Sequence, residues 1–325
     1  MQHIHIKFSA PLLLAPALLI LAACSTPAPP APTIAVVPQA PIKIALALGG
    51  GAARGFAHVG VIKALEAQGI VPDIIVGTSA GSVVGALYAA GYNGFELQQL
   101  SMQMDESQVS DWSIPNRGVI KGEALQDFIN QAVKYRTLEK MKKIFAVVAT
   151  DLRSGEMIIF RSGNTGMAVR ASSSVPGVFQ PVSINGREYV DGGLVAPVPI
   201  RVARSLGADF VIAVDISDKP ENNKTASSAD VLLQTFNIMG QTISRNELPT
   251  ADIVIRPVTP GISATDFKDR HMAVLQGEKA VSLILPELKE KLAKKNEGRM
   301  LAASPDSNKK PDVQVENVLK PGVVN

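Results

Sequence analysis

Two glycine-rich turns, each set between an apolar run and a helical pattern, constrain this chain to a fold in which strands feed directly into helices. The pentapeptide Gly77-Thr78-Ser79-Ala80-Gly81 follows Ile74-Ile75-Val76 and precedes helical apolar spacing over residues 83–90. A G-x-S-x-G sequence in that context lifts a serine hydroxyl out of a sheet edge as a nucleophile. Gly77 and Gly81 let the turn close without side chains in the way. The helix that follows aims N–H groups and its positive dipole end at the reacting centre. Taken alone, the pentapeptide also fits an ordinary glycine-rich turn.

The second turn lies upstream. Residues 44–48 read as a buried strand that runs into Gly49-Gly50-Gly51-Ala52-Ala53-Arg54-Gly55, and residues 56–68 carry helical spacing at Val59, Ile62 and Leu65 before Gly69. A phosphate-binding P-loop would end in Gly-Lys-Ser/Thr, which is absent. A dinucleotide fingerprint fails in both frames, with Arg54 or Ala52 at a required glycine, although Asp73 falls near the place of a ribose-binding acid. N–H donors for an oxyanion suit the loop, since Ser79 supplies the nucleophile they would serve. A sharp strand-to-helix turn is the plain alternative.

Four blocks together resemble the patatin-like phospholipase family in its bacterial branch. They are residues 48–55, residues 77–81, the segment Ala171-Ser172-Ser173-Ser174-Val175-Pro176-Gly177-Val178-Phe179-Gln180-Pro181, and Asp191-Gly192-Gly193. The resemblance implies a three-layer α/β/α sandwich around a mostly parallel sheet and a serine acyl hydrolase acting on membrane lipids. It implies Ser79 as nucleophile and Asp191 as base. The elbow is Gly77, Thr78, Ala80 and Gly81, with Gly192 and Gly193 after the acid. The oxyanion hole falls at Gly50, Gly51, Ala52 and Arg54, with neither metal nor cofactor. Ala52 stands where many members carry glycine, so its N–H serves the hole if its φ is negative.

The residues support a dyad. Of four histidines, His3 and His5 lie in the N-terminal leader, so a Ser…Asp…His order would depend on His271, in a stretch that reads as a polar-faced helix. His58 precedes Ser79, the wrong order. Asp151, Asp191 and Asp215 all end apolar runs and so point to one rim of the sheet. Asp191 is preferred for its Gly-Gly and the family match, with Asp215 next; as a base it needs burial to raise its pKa. Arg54 fits loop orientation or a lipid phosphate. Ser172 to Ser174, lacking flanking glycines and followed by Pro176, read as a helix end.

The termini point to an address. Residues 11–23 form an apolar stretch too short to span a membrane, with the build of a signal-peptide core. It runs into Leu21-Ala22-Ala23-Cys24-Ser25, which resembles a bacterial lipobox and implies a lipidated Cys24. Cys24 is the only cysteine, so no intrachain disulfide forms. With Ser25 next, the resemblance implies the outer membrane, facing the periplasm. Residues 24–42 then hold the lipidated cysteine and a Pro/Ala-rich tether, residues 43–295 the hydrolase domain, and residues 296–325 a disordered polar tail. Later strands are expected at residues 145–149, 157–160, 210–215 and 253–256.

A net charge of +3 suits an anionic lipid surface, and no basic-aromatic cluster suggests nucleic acid. Met102, Met104 and Trp112 suit either a membrane-contacting lid or ordinary helix packing. Two other functions fit the motifs: a serine hydrolase of non-lipid esters or thioesters, and a catalytically silent lipid-binding or regulatory lipoprotein.

Overall fold

The computed structural model describes residues 41–104, 120–217, 225–259, 262 and 268–302. The lipobox with its Cys24, nearly all of the tether, Trp112 and residues 303–325 lie outside the described residues.

Eight strands make one sheet in the order β5-β6-β3-β2-β1-β7-β8, with β4 paired to β3. β1 (Ile44–Leu48), β2 (Ile74–Thr78), β3 (Ile144–Asp151), β7 (Phe210–Val214) and β8 (Ile253–Ile255) run parallel. β4 (Met157–Phe160), β5 (Val182–Ile184) and β6 (Arg187–Asp191) complete the sheet in antiparallel pairs. The parallel strands are continuous apolar runs because helices cover both faces. Along β1 the faces alternate: Leu46 and Leu48 enter a core shared with α1 (Phe56–Ala67), α2 (Ala80–Ala90) and the C-terminal helix, while Ala45 and Ala47 face Ile200 and Val202 on the opposite side. Each fully buried Leu or Ile contributes about 1.5–3 kcal/mol. The three-layer α/β/α expectation holds.

The register of β3 places the site. Val147 and Val148 pair with β2 on one edge and with β4 on the other. Ala149 pairs with Ile158 of β4 and with Asp191 of β6, so β6 occupies the same edge as β2, just beyond its end. Thr78 lies opposite Val148 and Asp191 opposite Ala149, one residue further along β3. Two strands running in opposite directions thus deliver Ser79 and Asp191 to one point.

The expected strands all form, within a residue or two at their ends, and so do the helices after the two turns. The remaining helices are α3 (Gly94–Gln103), α4 (Glu123–Ala132), α5 (Thr165–Ser172), α6 (Ile200–Ser205), α7 (Ser228–Glu247) and α8 (Arg270–Ala302). Met102, in α3, is exposed, while Met104 packs against the core. α8 corrects the proposed start of the tail: residues 296–302 continue the helix rather than leaving it. Arg299 explains why, since its guanidinium meets the Asp209 carboxylate at 2.6 Å, 90 residues away in sequence. No described helix is long and apolar enough to cross a membrane.

Candidate active site

Ser79 stands between the last residue of β2 and the first of α2 with φ 53° and ψ −125°. For a side chain with a Cβ this left-handed backbone is strained by about 1–3 kcal/mol, so the surroundings must hold it. A Cβ on Gly81 would lie 2.1 Å from the Leu48 carbonyl oxygen, and one on Gly77 would lie 2.5 Å from that of Gly81. Only glycine permits these approaches. The Ser82 hydroxyl donates to the Ser79 carbonyl at 2.6 Å. The Ser79 hydroxyl caps no helix N–H, which leaves it available for chemistry.

The Ser79 amide donates to the Ser172 hydroxyl at 2.8 Å, and that hydroxyl donates to the Val148 carbonyl at 2.5 Å. Ser172 is fully buried, and two residues on, the Ser174 carbonyl accepts the Asp191 amide at 2.9 Å. The end of α5 therefore braces both members of the pair. This role was missed in the sequence, where the serine run reads only as a helix end. The smallness of Ala171-Ser172-Ser173-Ser174, which lets it reach the backbones of both Ser79 and Asp191, is the available signal.

Asp191 is 7% exposed and Ser79 9%. Its Oδ1 accepts the Gly193 N–H at 2.7 Å, and its backbone carbonyl accepts the Thr150 hydroxyl at 2.8 Å. Burial pushes its carboxyl up to about 6, against the opposing pull of the Ser79 hydroxyl and the Gly193 amide. Oδ2 is buried with no partner of hydrogen-bond geometry, so the Ser79 hydroxyl acts on the carboxylate through a contact looser than a formed bond. Catalytic hydrogen bonds are often long before substrate binds.

The other two acids are occupied. Asp151 accepts from the amides of Arg153 and Ser154 and meets Arg187 at 2.8 Å, which together hold its carboxyl below the usual range. Asp215 accepts from Ser217 at 2.6 Å and lies 3.5 Å from Arg256. Neither offers an unpaired oxygen as Asp191 does. His271 is exposed in the first turn of α8.

The glycine loop keeps fewer donors than its sequence offers. The Gly50 amide bonds the Pro197 carbonyl at 3.0 Å, and the Arg54 amide bonds that of Gly51 at 3.2 Å, so two of the four expected hole donors are engaged. The Arg54 side chain is buried and bonds the Ile216 carbonyl at 3.1 Å, orienting the loop. Gly51 and Ala52 remain, their N–H groups donating to no described residue. Ala52 does not meet the negative φ on which its place in the hole is conditioned: it sits at +51° as the chain enters the turn formed by residues 52–55, so its unspent N–H is kept only at the cost of left-handed strain. Gly50 faces Ser79, with an ideal Cβ 3.2 Å from that of the serine.

His58 lies under the loop, completely buried, with Nε2 donating to the Gly49 carbonyl at 2.8 Å. Burial lowers its pKa to about 4, so it stays neutral, and its Nδ1 has no partner. Among the described residues no group of His, Cys, Asp and Glu could hold a metal ion. Open depressions of about 500 and 250 Å³ flank Lys142 near the start of β3, and neither is lined by Ser79 or Asp191.

The sequence model of the patatin-like phospholipase family matches residues 46–204, a span that includes Ser79, Ser172 and Asp191. An uncharacterised NTE family protein of Mycobacterium bovis is 34% identical over 62% of this chain and 57% of its own length. The mouse patatin-like phospholipase domain-containing protein 6 is 34% identical over 55% of this chain. The match covers little more than half of the mycobacterial relative and 14% of the mouse one. In fold, the crystal structure of VipD from Legionella pneumophila superimposes with a TM-score of 0.53 at 14% identity, covering 77% of this chain and 67% of that one.

Proposed function

Because the domain belongs to the patatin-like phospholipase family, we propose that this protein is a serine lipid acyl hydrolase working through a Ser79–Asp191 dyad. The observation that carries the proposal is the unpaired, buried Oδ2 of Asp191, beside a serine held in a strained elbow.

Asp191 takes the Ser79 proton on Oδ2 as Oγ attacks the ester carbonyl. The amides of Gly51 and Ala52 hydrogen-bond the developing oxyanion, a contribution of about 3–4 kcal/mol per well-placed donor in comparable sites. The C–O bond breaks, and the protonated carboxyl gives its proton to the leaving alcohol. Asp191 then deprotonates water as it attacks the acyl-enzyme, the bond from the acyl carbon to Oγ breaks, and the carboxyl returns its proton to Ser79 Oγ as the fatty acid leaves. A base with a pKa near 6 is ionised at neutral pH yet basic enough to receive the proton.

The same reading includes Cys24 as a lipidated anchor and a phospholipid of the cell envelope as substrate. Ser79→Ala and Asp191→Asn are each expected to lower hydrolysis of phospholipid vesicles at least a thousandfold, while His271→Ala retains most of it. A folded but inactive His271→Ala protein contradicts the dyad. Activity confined to soluble esters or thioesters points to the non-lipid alternative. Metabolic labelling with a radioactive fatty acid is expected in the wild type and not in Cys24→Ser.

A further inference from the structure

We infer that the outer face of α7 is a lipid-binding surface that seats the active-site entrance on a bilayer. The inference rests on the proposed lipid hydrolase activity for its biological sense, though not for its test.

α7 is an unusual surface helix. Residues 231–244 carry no charged side chain. Val231, Leu232, Ile238 and Met239 are 52, 40, 51 and 47% exposed. None of the seven Val, Leu, Ile, Phe and Met residues in positions 231–243 joins a described core cluster. A helix on the surface of a water-facing protein ordinarily turns a charged face outward, and an apolar face left outside marks an interaction site. The helix is fixed at both ends. Its N-terminus has a reciprocal capping box between Ser227 and Asp230, and Glu247 at its other end is buried against Arg201.

Its position ties this face to the site. α7 packs on the turn at Gly192–Leu194 that follows Asp191. A Cβ on Gly177, in the segment after Ser174, would lie 2.7 Å from Leu232 Cδ2. Gly240 rests 3.6 Å, measured from its ideal Cβ, from the ring of Pro197, whose carbonyl holds the Gly50 amide. The helix that carries these exposed residues therefore borders, through Leu232 and Gly240, the segment after Ser174 and the residue that anchors the glycine loop.

A bilayer fits this face better than a second copy of the chain. A bilayer pressed on this face lies against the helix that packs on the turn after Asp191, and so brings ester carbonyls close to the pair. A charge-free apolar strip inserts into the acyl boundary without desolvating an ion. The Pro/Ala-rich stretch 25–41 reaches roughly 50 Å if extended, ample for a tethered domain to turn this face to the membrane.

The test uses the full chain carrying Ser79→Ala and Cys24→Ser, labelled with an environment-sensitive NBD dye at Met239→Cys or, as control, at Glu139→Cys. Vesicles of phosphatidylethanolamine and phosphatidylglycerol are added. Position 239 is expected to shift to the blue and brighten several-fold, with position 139 unchanged. No change at 239 at saturating lipid overturns the inference. A blue shift without lipid that grows with protein concentration also overturns it, in favour of a second copy. In the active chain, Ile238→Asp with Met239→Asp is expected to lower hydrolysis of vesicle phospholipid about tenfold, leaving that of a soluble short-chain ester unchanged. Equal loss on both substrates overturns the surface role. Absence of all hydrolysis in the wild type would refute the proposed activity alone, since the dye reads the surface without it.

Discussion

The two glycine-rich turns look alike in sequence and are held in opposite ways. At residues 77–81 the strained residue is the proposed nucleophile, and everything around it is fixed: glycines without room for a methyl group, Ser82 on its carbonyl, Ser172 on its amide. At residues 49–55 the outer members are tied down, through His58, Pro197 and Ile216, while the middle two keep their N–H groups unspent. A nucleophile must be presented in one geometry, so its turn is over-determined. An oxyanion hole needs donors without partners, so its turn is braced from the sides.

The largest test of this contrast is Gly81→Ala. With the Leu48 carbonyl 2.1 Å from the new methyl and no flexible side chain to yield, the elbow must open. We expect a loss of about 3 kcal/mol or more in thermal or urea unfolding, together with activity. Wild-type stability would show that the elbow is not rigid.

Ser172→Ala comes next. It leaves the buried Ser79 amide unpaired, a cost of about 1–3 kcal/mol. A purely structural role lowers stability alone. Positioning lowers the rate of fluorophosphonate labelling as well, by about tenfold or more in protein that remains folded, with Ser172→Thr recovering part of it. An unchanged labelling rate would remove Ser172 from the account.

The buried ionisable groups divide in the same manner, one under each turn. Asp191 titrates near 6 in the fold against 3.8 ordinarily, so between those values the native state holds the extra proton and stability falls as pH rises. His58 titrates near 4 against 6.5, so there the unfolded state holds the extra proton and stability rises with pH. Each effect is about 3 kcal/mol at most, and between pH 4 and 6 they oppose. Asp191→Asn removes one side: the variant should be inactive, more stable than wild type at pH 7, and should lose stability more steeply on acidification through that window. Parallel stability curves would show that the two groups do not carry these shifts. In the wild type, kcat/KM should fall as pH drops through about 6, as the base becomes protonated.

The smallest effect is expected at Ala52, where φ is +51°. Ala52→Gly relieves the left-handed strain and loosens the unfolded chain, two opposing changes of about 1 kcal/mol or less each. Stability should move by less than about 1 kcal/mol and activity should be kept. A large loss would mean that the alanine methyl group itself shapes the hole.

Much of this was legible in the sequence because the signals are local. Apolar runs ending in glycine marked β1 and β2, and the glycines flanking Ser79 and following Asp191, with the family resemblance, pointed to the proposed pair. What escaped depends on distant partners. Ser172 meets Ser79 across 93 residues, and Gly50 gives its amide to Pro197, so neither role shows in a local pattern. Residues 296–302 look like a polar tail until Arg299 finds Asp209. The charge-free stretch of α7 carries no local motif, and its exposure shows only in the folded chain.

The central claim, that Asp191 activates Ser79, is tested most directly by fluorophosphonate labelling followed by intact mass, across pH 4–8, in the wild type, Ser79→Ala and Asp191→Asn. The account predicts a single adduct in the wild type that forms more slowly below about pH 6. It predicts none in Ser79→Ala, and in Asp191→Asn labelling slowed at least a hundredfold with no pH dependence near 6. An adduct that persists in Ser79→Ala, or wild-type rates in a folded Asp191→Asn protein, would contradict it.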